Sequence, residues 1–202
     1  MNRYIGFDPG GIGNFGWSVL SADGRLSTAS VVSGTCSNAD DAVSAASEAL
    51  DGPPKAVGID SPMFWVSSGD RLSDKRVRNA VVANGGYPGT VSHVNSLRGA
   101  CLAQGIIVGR LARRLWPQVP ITESHPKALL RTNARSRRFS DLFTFANDHE
   151  RDAALGAFAA WSWALRADGW FDLRHDETKV IDLIGEPYPS YWFSLGDVER
   201  AS

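Results

Sequence analysis

Short apolar strand runs alternating with Ala-rich helical stretches predict an α/β fold for this 202-residue chain. Three observations carry the prediction. Tyr4–Phe7, Ala56–Ile59 and Val119–Thr122 are brief buried-strand runs, each ending at an acidic residue or just before one. Stretches Asn38–Leu50, Asn95–Leu115 and His149–Arg166 have helical spacing between them. At 43% hydrophobic and 21% charged, with 7 Trp and 9 Phe, the chain has a core to bury, which excludes disordered and fibrous classes. The length favours one domain over residues 1–202.

The elements follow in order. Tyr4–Phe7 ends in the turn Asp8-Pro9-Gly10, and Phe15, Trp17 and Val19 alternate with smaller or differently faced residues at period 2. Asp23-Gly24 suits a hairpin turn, so a third strand at about Leu26–Val32 completes an antiparallel meander. The helix at 38–50 stops at Gly52-Pro53-Pro54, and the strand at 56–59 runs into Asp60-Ser61-Pro62. Residues 63–94 are first basic and then Gly-rich, an insertion read as a short helix plus a mobile loop. A helix at Phe139–Ala146 precedes the long one at 149–166, and the tail at 168–202 is aromatic and irregular.

No run of 18 apolar residues exists to span a membrane, and Asp8 interrupts the apolar start of the chain before a signal sequence forms. Cys36 and Cys101 form neither a disulfide framework nor a Cys/His zinc pattern, so a reducing cytoplasm is expected. No GxSxG motif marks a serine hydrolase, and neither cysteine sits in a nucleophile motif.

A net charge of −1 hides a strong asymmetry. Residues 61–138 carry 13 Lys/Arg against 3 Asp/Glu, whereas residues 139–202 carry 5 against 12. The basic third suits a phosphate-rich partner; equally, it suits pairing with the acidic third, within the chain or across a homodimer. Gly11-Ile12-Gly13-Asn14-Phe15-Gly16 matches GxGxxG, but a strand follows where the dinucleotide fingerprint needs a helix. With GxxxxG spacing, Trp17 stands where a phosphate-binding loop needs Lys.

The carboxylates are more informative. Asp8, Asp60 and Glu123 each end a strand run, and parallel neighbours would present all three on one edge of the sheet. Asn147 and Glu150 have capping-box spacing, which explains them structurally. Asp152 shares a stripe with Gly156 and Ala159/Ala160, small residues that let a helix lie close on a sheet, and His149 one turn earlier shares that face. Four acids around one point repel one another, and a hard divalent cation, Mg²⁺ or Mn²⁺, relieves that repulsion. Such ions also serve phosphodiester hydrolysis. Asp8, Asp60, Glu123 and Asp152 are therefore the expected metal ligands, with His149 as a catalytic neighbour. Arg71, Arg78 and Tyr87 in the insertion are expected to touch the substrate, although Arg71 could instead pair with Asp74 or Asp70 and Tyr87 could pack on the protein.

Ile5-Gly6-Phe7-Asp8-Pro9-Gly10 with Gly16-Trp17 resembles the first strand and hairpin of ribonuclease H-like nucleases, especially the Holliday-junction resolvase branch. His149-x-x-Asp152-Ala153 resembles that branch's last catalytic helix. Together with Ile59-Asp60-Ser61-Pro62, Arg71-x-x-Asp74 and Glu123-Ser124-His125-Pro126, the set is more closely similar to a bacterial and archaeal family described as predicted ribonuclease H-like nucleases. The resemblance spans roughly residues 3–165 and implies a mixed five-stranded sheet of order 3-2-1-4-5, strand 2 antiparallel, with helices on both faces. It also implies an acidic metal site on the sheet edge and a nucleic-acid substrate. The loop after Asp8 is one residue longer than in the resolvases, which leaves their substrate choice behind. Two other functions fit the residues: a non-catalytic nucleic-acid-binding or scaffold protein, and a nucleotide binder of the actin-like fold, which needs two such domains.

Overall fold

The computed structural model describes residues 1–23, 28–66, 70–91, 99–178 and 180–196. Strand β1 (Asn2–Asp8) pairs antiparallel with β2 (Phe15–Ala22), and β2 pairs antiparallel with β3 (Ser30–Cys36). The third strand thus lies later in the chain than its apolar pattern suggests; Gly24 and Leu26 are outside the described residues. On its other side β1 pairs in parallel with β4 (Ala56–Ile59), β4 with β6 (Ile121–Glu123), and β6 with β9 (Ser190–Phe193). The edge strand β7 (Phe171–Asp172) runs antiparallel to β9. The result is a mixed seven-stranded sheet of order β3-β2-β1-β4-β6-β9-β7. The expected five strands become seven because the aromatic tail supplies two of them.

Side chains alternate across this sheet. Ile5, Phe7, Val57, Ile59 and Ile121 face α1 (Ala39–Glu48) and α3 (Gly99–Leu115) in one apolar layer. Tyr4, Leu20 and Ala56 face α6 (Asp148–Ala164) in the other. Asn38 caps α1 by accepting from the Asp41 N–H, and Asn147 caps α6 by accepting from the Glu150 N–H. Residues 152–162 of α6 are all buried. A helix buried on every side needs cover on its outer face, which α4 (Pro126–Thr132), α5 (Ala134–Asp141) and the tail provide. Phe158 stacks on Phe139 of α5 at 4.8 Å and on Trp161 at 5.3 Å. The helix expected at 139–146 is α5, which starts at Ala134 and ends at Asp141. Its N-cap is Asn133, which accepts from the Ser136 N–H.

The insertion is more ordered than its composition suggests. It contains β5 (Phe64–Val66), the twelve-residue α2 (Leu72–Ala83) and a 3₁₀ turn at Pro88–Thr90. Strand β5 pairs with β8 (Val180–Asp182) of the tail, so insertion and tail are stitched together. No helix among the described residues is long and apolar enough to cross a membrane.

What sets the sheet–helix distance is the absence of side chains. A Cβ added at Gly6 would lie 1.7 Å from the Ala153 carbonyl oxygen, and one at Gly58 would lie 2.1 Å from that of Gly156. Backbone cannot give way as a flexible side chain can. We expect Gly6→Ala to cost about 3 kcal/mol or more, lowering Tm by roughly 6–12 °C in a chain of this size. Gly11→Ala, with nothing within 4 Å of the added atom, should leave Tm unchanged. Differential scanning calorimetry of the two variants checks the contrast.

Candidate functional site

Asp8 ends β1, and Asp60 follows β4 with its N–H bonded to the Phe7 carbonyl at 2.9 Å. The parallel register pairs Phe7 with Ile59 and Ile59 with Glu123, so Asp8 and Asp60 lie one step beyond that row. By strand alternation they share the face of Gly6 and Gly58, the face on which α6 lies. Asp152 of α6 is only 2% exposed. Burial and the charge of Asp152 raise the Asp8 carboxyl above the usual range, against the hydrogen bond from His149. Burial, then Asp8 and also Asp152, push Asp60 up to about 8 despite the opposing charge of His125. Burial raises Asp152 as well, although Arg151 donates to its Oδ1 at 2.8 and 3.0 Å. Burial thus raises the proton affinity of all three acids, and the charge of Asp152 adds to the effect at Asp8 and Asp60.

His149 is held where it was expected. Its Nδ1 lies 2.7 Å from Asp8 Oδ2. Gly16 beside it allows the helix start to approach: a Cβ there would sit 2.2 Å from the His149 carbonyl oxygen. The Lys127 ammonium stands 3.8 Å from Asp152 Oδ2.

Glu123 does not join these acids. It belongs to the row of Phe7 and Ile59 and points to the opposite face of the sheet, so the expected four-carboxylate site is a three-carboxylate site. Arg71 grips both Glu123 oxygens at 2.6 and 2.9 Å and both Asp74 oxygens at 2.7 and 2.8 Å. The Met63 N–H and His125 Nε2 complete the Glu123 shell at 3.1 and 2.9 Å. Burial would raise the Glu123 carboxyl, but the charge and hydrogen bonds of Arg71, with His125, hold it at about 2. Burial opposes the charge on His125, and the bond and charge of Glu123 overcome it and raise its pKa. Arg71 thus bridges two carboxylates, and His125 adds a further hydrogen bond to one of them. Asp74, Glu123 and His125 have ligand atoms within 4.8 Å of one another, a spacing that could hold a metal ion. In this arrangement Arg71 is the cation that both carboxylates engage.

The expected substrate residues fare differently. Arg71 is fully buried, so its pairing with Asp74, and not contact with substrate, describes it. Arg78 pairs with Asp70. Tyr87 is 76% exposed, and Gly89 and Thr90 of its loop line a cavity of about 270 Å³ with Asp60, His125 and Lys127. The Gly-rich loop therefore borders the acidic edge.

Sequence reasoning missed Ser124, the residue in the row of Asp8 and Asp60. It is fully buried, lies 3.4 Å from the Cβ position of Gly156, and its Oγ lacks a partner. His125, which reaches both Glu123 and Asp60 (Nδ1 to Oδ1, 3.9 Å), was part of a quoted motif but not singled out. An acid at a strand end draws attention; a serine there carries no such signal. Comparison of the chain with protein-family models, with curated proteins and with solved structures finds no match, so the functional reading rests on the residues themselves.

Two outcomes follow from these charges. Arg71→Met strands two buried carboxylates and should cost about 3–5 kcal/mol by urea denaturation, with Arg71→Lys recovering little because one ammonium cannot bridge both pairs. Folded Asp60 keeps a proton that unfolded Asp releases at about pH 4, so its contribution is full below that pH and is lost as pH rises through about 8. In EDTA, Asp60→Asn should flatten the decline in Tm over that window; an unchanged pH profile would remove Asp60 as its source.

Proposed function

We propose that the chain is a metal-dependent phosphodiesterase acting on nucleic acid, with a ribonuclease H-like arrangement of its first five sheet strands. The observation that carries the reading is the trio Asp8, Asp60 and Asp152, two adjacent strand ends and the helix packed over them. Their raised affinity for protons marks a place where positive charge is wanted. All three offer the hard carboxylate oxygens that Mg²⁺ or Mn²⁺ takes; they are not among the groups whose ligand atoms lie within 4.8 Å of one another, so an ion bound there would have to draw them together. When bound by Asp8, Asp60 and Asp152, such ions supply neutralisation of phosphodiester charge and a more acidic water.

The chain's own groups have separable tasks. His149 fixes Asp8 through Nδ1 and, at 38% exposure, offers its other nitrogen to take or return a proton at the edge of the site. The Arg71–Glu123–His125 network holds His125 toward Asp60 from below. Lys127, Arg131, Arg137 and Arg151 line a cavity of about 470 Å³ beside Asp148, a surface suited to the phosphates of a bound strand. Tyr87, exposed on the bordering loop, is placed to stack on a base. A cysteine nucleophile is disfavoured, because burial, with the charges of Asp60 and Asp8, pushes the Cys101 thiol up to about 12.

The test is Asp8→Asn. In EDTA the variant should melt at or above the wild-type temperature, since one of three mutually repelling carboxylates is gone. It should lose most of the stabilisation that Mg²⁺ or Mn²⁺ confers on the wild type, together with cleavage of DNA or RNA. A wild type with no metal-induced shift and no nuclease activity overturns the enzyme reading in favour of a nucleic-acid-binding scaffold.

A further inference from the structure

At the opposite edge of the sheet from the acids, the starts of β6 and β9, the end of α6 and the Pro187-Tyr188 turn enclose a cavity of about 660 Å³. That volume suits a small organic ligand. Trp163, Trp170 and Trp192 contribute aromatic walls and Tyr188 a half-exposed rim. Arg166 stands at this cavity in a left-handed backbone conformation (φ 50°), just past the helix end, where glycine is the unstrained choice. Its guanidinium lies 4.4 Å from the Trp163 ring centroid and 5.5 Å from that of Trp192, and makes no ion pair among the described residues.

The lining holds further unmet polarity. Trp192 Nε1, Ser190 Oγ and Arg113 Nε, all from residues of this wall, are buried without hydrogen-bond partners. Buried donors without acceptors are rare enough to need an explanation. The acidic residue of the lining, Asp172, is already engaged, accepting from the Arg174 and Tyr191 N–H groups. What remains is aromatic surface and the Arg166 guanidinium, with the partnerless N–H and O–H groups sealed just behind the wall.

We propose that this cavity binds a nucleotide, its base against the tryptophan rings and its phosphate on Arg166. A base offers a face to lie against aromatic rings, and a stacked guanidinium with free donors is suited to a phosphate. A free mononucleotide and the unpaired end of a strand present the same chemistry. The site is independent of the Asp8 region and goes beyond the reading proposed for it.

Isothermal titration calorimetry in EDTA tests the proposal with AMP, CMP and a short oligothymidylate, against inorganic phosphate and phenylacetate. The informative variant is Arg166→Gly, which removes the guanidinium yet suits the left-handed backbone, so its Tm should match or exceed that of the wild type. Nucleotide or oligonucleotide should bind the wild type and bind Arg166→Gly about tenfold or more weakly. Binding by the mononucleotides identifies a free nucleotide as sufficient; binding by the oligonucleotide alone identifies a strand end. Asp8→Asn should bind as the wild type does, which separates this site from the proposed catalytic one. No binding heat at millimolar ligand, equal binding by Arg166→Gly, or equal binding of phosphate or phenylacetate overturns the proposal.

Discussion

The close approach of α6 to the sheet organises everything at the acidic edge. Gly6 and Gly58 leave no Cβ between strand and helix, and the carbonyls of Ala153 and Gly156 occupy the space. A helix seated at ordinary distance would hold Asp152 away from the strand ends. Seated this closely, it turns Asp152 toward Asp8 and Asp60 and sets His149 against Asp8. The helix also buries Asp152, and burial raises the proton affinity of all three carboxylates. Packing and electrostatics are therefore one feature: the glycines that let the core close also create the acidic site.

One sheet edge carries two kinds of acid cluster, divided by strand alternation. On the α6 face, Asp152 has Lys127 at 3.8 Å and Arg151, Asp8 has a hydrogen-bonded His149, and Asp60 has His125 at 3.9 Å; burial still raises the proton affinity of all three acids. On the other face, Glu123 and Asp74 share Arg71, which also lies over the Phe64 and Tyr191 rings at 4.7 and 5.4 Å. A guanidinium in an aromatic slot cannot leave, and two carboxylates around it have no call for another cation. The neutralised cluster is structural in character.

This division shows how far the residues alone could be read. Strand-end acids at 8 and 60, the small-residue stripe of α6, its Asn147 cap and the proximity of His149 were all visible as local patterns. Glu123 was not placed correctly, because a pattern of strand-end acids fixes each element but not the register between them. One residue of register reverses the face. Ser124 therefore stands where Glu123 was expected. Strands β5, β7, β8 and β9 escaped notice for a related reason: two to four residues carry too little periodicity, and their identity comes from partners far along the chain, as far as Phe64 from Asp182. Arg71 read as a surface charge because its two buried partners lie three and fifty-two residues along the chain.

The charge asymmetry resolves in the same spatial terms. Much of the basic third is spent internally: Arg71 on Glu123 and Asp74, Arg78 on Asp70, Arg76 on Asp176 of the acidic third, and Arg113 on the carbonyls of Val119 and Pro187. Pairing within the chain is thus real, and it accounts for the arginines that fasten α2 and α3 to their surroundings. Lys127, Arg131 and Arg137, with Arg151 of α6, are gathered around the cavity beside the acidic edge, where Lys127 and Arg151 pair with Asp152 and Arg137 donates to the carbonyls of Leu130 and Arg131. Both pairs favour the ionised form of Asp152, so part of this rim also serves the acids beside it. The proposed function uses the two side by side, the acids for divalent cations and the basic rim for the phosphates of a bound strand.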